Sequence, residues 1–188
     1  MQNIAEDQVI INLKAVALQE PKNAENHCNL AIALAERGDV SGAIDSYRAA
    51  LQIEPNHLAA SSNLGSIYRS MGNFEEAFTI FKNIVDVFPN DISAYINLGA
   101  LYKQDGSLSK AERTFQKAVS LLPLSSEAYF NLGNALRYEG DIDISIECYE
   151  KAIRLKPNLV VAHYYLGNAL KDGRRLKEAI DSYSQVIS

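Results

Sequence analysis

Four asparagines recur along this sequence at intervals of 34 residues. They are Asn29, Asn63, Asn97 and Asn131. A carboxamide has both a hydrogen-bond donor and an acceptor, so it can bind a peptide N–H and a peptide C=O together. A row of such groups would bind the backbone of an extended polypeptide and tolerate varied side chains. The alternative interpretation is that each Asn links neighbouring helices or faces water.

A second set with the same spacing is basic. Its members are Arg69, Lys103, Arg137 and Lys171, and each lies six residues beyond a position of the asparagine series. On an α-helix six residues turn through about 600°, so these cations lie about 120° from the amides, on the flank of the same surface. A basic row beside an amide row favours an acidic peptide as the partner. The alternative is a solvated helix C-terminus, where cations are favoured in any case.

A third set is aromatic and lies towards the end of the chain. It consists of Phe130, Tyr138, Tyr164 and Tyr165. Exposed tyrosines often anchor protein partners. Two further amides, Asn134 and Asn168, lie one helical turn beyond the asparagine series. Together the three sets predict a peptide-binding surface that is best developed within residues 92–188.

Nothing in the sequence resembles a catalytic, metal or cofactor site. The three histidines, His27, His57 and His163, are too scattered for metal ligation or for a nucleophile–base pair. The glycines are spaced through the chain and form no phosphate-binding loop. We therefore expect no enzymatic activity, no metal and no cofactor in this chain.

Composition restricts the partners and the compartment. A net charge of −5 lacks the basic footprint that nucleic-acid binding requires. No apolar run approaches the roughly 20 residues that cross a bilayer, and the N-terminus has no secretory signal. Cys28 and Cys148 lie in repeats that are three apart and on different predicted helices, which is too distant for a disulfide. We expect two thiols in a reducing, cytoplasmic environment.

The elements that position these side chains follow the same 34-residue step. All five prolines obey it, at Pro21, Pro55, Pro89, Pro123 and Pro157. A sequence period of this length is typical of paired helices stacked as a solenoid. In the pair at residues 94–104 and 108–121, a glycine ends the first helix and a proline follows the second. The sequence therefore predicts an all-α fold with eleven helices.

These helices form one predicted repeat domain over residues 1–188. It consists of a half repeat with one helix at 1–23, repeats at 24–57, 58–91, 92–125 and 126–159, and a last repeat at 160–188 that stops within its second helix.

The last repeat departs from the others at its turn. Gly173 comes one residue early and Arg174 occupies the usual glycine place, so we expect a differently shaped turn there. Both ends of the array leave apolar helix faces uncovered, and homo-oligomerisation through them is a further expectation.

The repeats resemble the tetratricopeptide repeat family, whose motif runs aromatic, Leu-Gly, Tyr, Gly, Ala, aromatic, Ala and Pro. Residues 92–125 supply it as Tyr95, Leu98, Gly99, Tyr102, Gly106, Ala111, Phe115, Ala118 and Pro123. The resemblance implies a right-handed solenoid of antiparallel helix pairs. It also places the first helices, with the aromatic set, on a concave groove that binds a protein segment.

The recurring Asn-Leu-Gly is similar to the repeat domain of O-GlcNAc transferase. There an Asn in each first helix lines the concave surface, which implies that the asparagine series forms a ladder, interrupted here by Tyr165. Two functions follow as expectations. One is a non-catalytic scaffold that binds an extended protein segment. The other is the substrate-recognition arm of a glycosyltransferase, separated from its catalytic domain.

Overall fold

The computed structural model describes residues 2–187, with side chains from residue 8 to residue 186. The described residues form eleven α-helices and no strand, which confirms the predicted all-α fold. The helices are α1 (Gln2–Gln19), α2 (Ala24–Glu36), α3 (Val40–Ile53), α4 (Leu58–Ser70), α5 (Phe74–Val87), α6 (Ile92–Gln104), α7 (Leu108–Leu121), α8 (Ser126–Glu139), α9 (Ile142–Leu155), α10 (Val160–Asp172) and α11 (Leu176–Ile187).

The helices belong to two compact units. Unit 1 ends at Pro89 and unit 2 begins at Asn90. In unit 1, α1 packs on α2, and the pairs α2/α3 and α4/α5 follow. Unit 2 contains the pairs α6/α7, α8/α9 and α10/α11. Each pair coincides with one 34-residue repeat of the sequence.

Side-chain caps begin two of the three first helices of unit 2, α6 and α8. The Asp91 carboxylate accepts a hydrogen bond from the Ala94 N–H at 2.7 Å, at the start of α6. The Ser125 hydroxyl accepts one from the Ala128 N–H at 3.1 Å, at the start of α8. Both residues satisfy N–H groups that have no partner within the helix.

A glycine on the first helix fixes how the two helices meet in four pairs, those that begin with α4, α6, α8 and α10. A Cβ atom at Gly99 would lie only 2.7 Å from the Phe115 ring, and one at Gly133 would lie 2.9 Å from the Tyr149 ring. Because no side chain intervenes, the ring on the second helix lies directly against the backbone of the first. The same contact joins Gly65 with Phe81 and Gly167 with Tyr183.

Two of these rings are tyrosines that are hydrogen-bonded to an asparagine. The Tyr149 hydroxyl donates to the Asn134 side-chain oxygen at 3.0 Å. The Tyr183 hydroxyl donates to the Asn168 oxygen at 2.8 Å. Tyr149 is fully buried and burial raises its pKa. The Tyr149 hydroxyl therefore needs the amide partner that the first helix supplies.

The turn of the last repeat is not differently shaped, and that expectation is wrong. Gly140, between α8 and α9, has a φ of +96°, and Arg174 has a φ of +60° at the same place between α10 and α11. The Arg175 N–H bonds to the Leu170 carbonyl at 2.8 Å, as the Asp141 N–H bonds to the Leu136 carbonyl at 2.9 Å. These bonds close the turn whichever residue occupies it. Arg174 therefore adopts a left-handed conformation that favours glycine.

Arg174→Gly is expected to stabilise the protein by about 1 kcal/mol, because it removes the cost of a left-handed non-glycine residue. Chemical denaturation measures the gain. Arg174→Lys is the matched control and should leave stability unchanged, since it keeps both the charge and the backbone strain. Gly106→Ala is the reciprocal change. A Cβ at Gly106 meets no atom within 4 Å, so the loss of about 1 kcal/mol would come from the backbone alone. Equal stability of the wild type and the three variants would show that Arg174 is not strained.

Asn134→Ala is expected to destabilise the protein by about 1–3 kcal/mol, because it leaves the buried Tyr149 hydroxyl without a partner. The chain itself provides the control. In the preceding repeat, Ala100 and Phe115 stand at the two corresponding positions. The double variant Asn134→Ala, Tyr149→Phe reproduces that pair and should recover most of the loss in a denaturation experiment. A double variant no more stable than Asn134→Ala would show that the hydrogen bond does not determine the effect.

Candidate functional site

Three of the predicted site residues lie in unit 1. Asn29, on α2, and Arg69, on α4, are exposed, while Asn63, on α4, is half-buried. Burial raises the pKa of Tyr47 to about 12, and a hydrogen bond from Asn63 acts in the opposite direction. The amide of Asn63 is therefore in contact with the second helix of the preceding pair. The other predicted residues all belong to unit 2.

The first helices of unit 2 are α6, α8 and α10, and α8 contacts both of the others. On α8, Phe130 precedes Arg137 by seven residues, and on α10, Tyr164 precedes Lys171 by the same number. Seven residues are close to two helical turns, so the members of each pair lie on one side of the helix, about 10 Å apart along it. We call this shared side of α6, α8 and α10 the first-helix face.

The amide–aromatic row crosses the first-helix face near the middle of the helices. It comprises Asn97, Asn131, Phe130, Tyr164 and Tyr165. Asn97 and Asn131 are half-buried. The Asn97 amide nitrogen donates to the Ser93 carbonyl of its own helix at 2.9 Å, which leaves the amide oxygen able to accept.

The aromatic rings of this row pack edge to face. The Phe130 and Tyr165 centroids are 5.4 Å apart, and those of Tyr164 and Tyr165 are 5.6 Å apart. Second-helix rings lie behind them, since Tyr149 is 6.0 Å from Phe130 and Tyr183 is 6.1 Å from Tyr164. Tyr164 nevertheless keeps 49% of its surface exposed. The row thus combines rigid support with an accessible aromatic ring.

The cation row crosses the same face near the C-terminal ends of the helices. It comprises Lys103, Arg137 and Lys171, together with Tyr138 and Asp172. The Lys103 ammonium lies 5.5 Å from the centroid of the Tyr138 ring, and burial lowers the pKa of this lysine. Tyr138 itself is 60% exposed. Lys171 is exposed to solvent.

Arg137 is held by an ion pair. Its Nε and Nη2 atoms donate to the same oxygen of Asp172, at 2.8 Å and 2.7 Å. Sequence reasoning missed Asp172, although its position carries a signal. It directly follows Lys171, as Tyr138 directly follows Arg137, and each of these two residues contacts the cation of the preceding first helix. Arg137 is therefore partly neutralised, whereas Lys103 and Lys171 face no such carboxylate in the row.

The other two predicted amides take structural positions. Asn134 is only 4% exposed and its oxygen accepts from Tyr149. Asn168 is half-buried and its oxygen accepts from Tyr183. Both amides are therefore engaged in the packing of their helix pairs, and we leave them out of the proposed binding surface.

Other kinds of site receive no support within residues 2–187. No group of three or more His, Cys, Asp or Glu there could hold a metal ion. In the same residues no helix is long and apolar enough to cross a membrane. Cys28 and Cys148 are buried free thiols, and burial raises the pKa of Cys148 to about 11. That shift disfavours the reactive thiolate at neutral pH.

Solved structures with the same fold extend over most of the chain. The crystal structure of MamA is 26% identical, with 87% of this chain and 90% of that chain covered and a TM-score of 0.77. YrrB, described as a tetratricopeptide repeat protein with an unusual peptide-binding site, is 20% identical, with 93% and 90% covered and a TM-score of 0.75. PilF of Pseudomonas aeruginosa is 17% identical, with 96% and 82% covered and a TM-score of 0.82.

No curated protein matches the sequence significantly. Family models do match it, and they agree with one another. Two models described as tetratricopeptide repeat match residues 24–57 and 56–124, and one described as TPR repeat matches residues 133–173. Together they cover more than half of the chain, including α2, α4, α6 and α10 in full and the second half of α8. The chain therefore belongs to the tetratricopeptide repeat family.

Proposed function

We propose that this protein is an interaction scaffold that binds an extended polypeptide segment on the first-helix face of unit 2. The observation that carries the proposal is the amide–aromatic row. Three neighbouring first helices contribute two amides and an accessible group of aromatic rings to one line. Such a line crosses the helices, so it suits a chain that is extended rather than a compact ligand.

The amides would bind the backbone of the segment. The Asn97 oxygen can accept from a peptide N–H, and the Asn131 carboxamide can both donate and accept. Because these contacts involve only backbone groups, they place no demand on the side chains of the partner. The amides would therefore contribute affinity for segments of many different sequences.

The aromatic rings would bind an apolar side chain of the segment. Tyr164 and Phe130 are partly accessible, and the rings behind them limit their movement. A rigid, partly exposed aromatic group loses little conformational entropy on binding, which is why tyrosines often dominate interface energetics. This end of the row would fix the position of the segment.

A solved structure supports the proposal, and one alternative function uses the same surface. YrrB, which has the same fold, is described as having a peptide-binding site. The substrate-recognition arm of a larger glycosyltransferase is the alternative that the Asn-Leu-Gly resemblance raises. In that setting the first-helix face would bind the acceptor polypeptide through the same residues, so the experiment below applies to both.

Replacing Asn97 and Asn131 together by Ala is expected to weaken peptide binding. Peptides selected by the wild-type protein from a displayed random library serve as ligands, and fluorescence anisotropy gives the affinities. Each lost hydrogen bond costs about 0.5–1.5 kcal/mol, so the pair should lower affinity on the order of ten- to a hundredfold. The melting temperature should hardly change, because Ala is the better helix former and Asn97 bonds only within its own helix.

Asn29→Ala is the matched control, since it changes the corresponding exposed position of unit 1. Its affinity for the selected peptides should equal that of the wild type. If the double variant melts at a lower temperature while it binds the peptides as tightly as the wild type, the amides are structural and the proposal is wrong.

A further inference from the structure

We infer that the bound segment carries apolar and acidic residues in alternation, with its apolar side chains on the amide–aromatic row and its acidic side chains on the cation row. This inference rests on the proposed function and specifies the class of partner. The observation behind it is that one face carries two parallel rows of opposite chemical character.

The two rows are separated by a fixed distance. Phe130 and Arg137 on α8, and Tyr164 and Lys171 on α10, are each seven residues apart, which is about 10 Å along the helix axis. The row members also contact one another across neighbouring helices. Lys103 of α6 meets Tyr138 of α8 in one row, and Phe130 of α8 meets Tyr165 of α10 in the other. The rows therefore run side by side across the helices.

The amide–aromatic row is apolar where α8 and α10 meet. Besides the rings of Phe130 and Tyr164, it lies beside Val161, which is 42% exposed on α10. The members of the row carry no charge, and the exposed Glu127 takes on α8 the place that Val161 has on α10. A partner side chain placed there gains by removing apolar surface from water, and a carboxylate placed there would lose its hydration.

The row near the helix C-termini is positively charged. It contains the cations Lys103, Arg137 and Lys171 and the single carboxylate Asp172, which pairs with Arg137. The negative end of each helix dipole partly offsets these charges, but the exposed ammonium of Lys171 remains available. Charge complementarity therefore assigns acidic side chains to this row.

An extended chain satisfies both rows only with one kind of sequence. Successive side chains of an extended strand point to opposite sides. A segment lying between the rows directs every second side chain to the aromatic groups and the others to the cations. In a partner with its apolar and acidic residues in separate blocks, the acidic block would also face the amide–aromatic row and the apolar block would also face the cation row.

Two synthetic peptides test this inference against the intact protein. One alternates Leu and Glu, and the other has the same composition with the Leu and the Glu in two separate blocks. Fluorescence anisotropy should give an affinity for the alternating peptide about tenfold higher than for the block peptide. Lys171→Glu should lower the affinity for the alternating peptide about three- to tenfold, because it replaces a surface ion pair by a repulsion. Arg69→Glu, at the corresponding exposed position of unit 1, should have no effect.

A charge-reversed peptide provides a second test. A peptide that alternates Leu and Lys should bind Lys171→Glu more tightly than it binds the wild type. Equal binding of the alternating and block peptides, together with library peptides that remain sensitive to the Asn97 and Asn131 replacements, would overturn the inference and leave the proposed function intact. If library peptides are insensitive to those replacements, the proposed function fails and this inference fails with it.

Discussion

Where the first helix of a pair carries a glycine, an aromatic ring of the second helix lies directly against its backbone. This contact determines how the two helices pack. At Gly99 and Gly133 the absence of a Cβ lets the ring of Phe115 or Tyr149 lie against the first helix. An added methyl group would need the ring to move by a large fraction of an ångström, and the ring is buried among close-packed neighbours. The glycine therefore sets both the distance between the helices and the rotation of the first helix.

That rotation decides which side chains can serve function. With one side of α8 turned to the second helix, Phe130, Asn131 and Arg137 are left on a different side, where α10 and α6 supply their neighbours. The same constraint divides the amides into two classes. Asn134 directly follows Gly133 and is buried between the two helices of the pair, whereas Asn131 precedes Gly133 by two residues and lies on the first-helix face. Neighbouring amides on one helix thus have different roles.

Local signals in the sequence were sufficient for the fold but only partly for the site. Glycine, proline and capping residues such as Asp91 act within a few residues of their own position, so helix boundaries could be predicted. The turn at Arg174 was predicted wrongly because hydrogen bonding across a turn can outweigh the preference of one residue. The roles of Asn134 and Asp172 depend on partners that are 15 and 35 residues away in sequence, and only a comparison between repeats relates such residues.

The central claim is that the amides of the first-helix face contact a peptide backbone. The most direct test follows the side-chain carboxamide signals of the protein by two-dimensional nitrogen–proton NMR while a selected peptide is added. The account predicts that the Asn97 and Asn131 signals shift with the fraction of peptide bound, while those of the buried Asn134 and the unit 1 residue Asn29 stay in place. Saturating binding that leaves the Asn97 and Asn131 signals unmoved would contradict it.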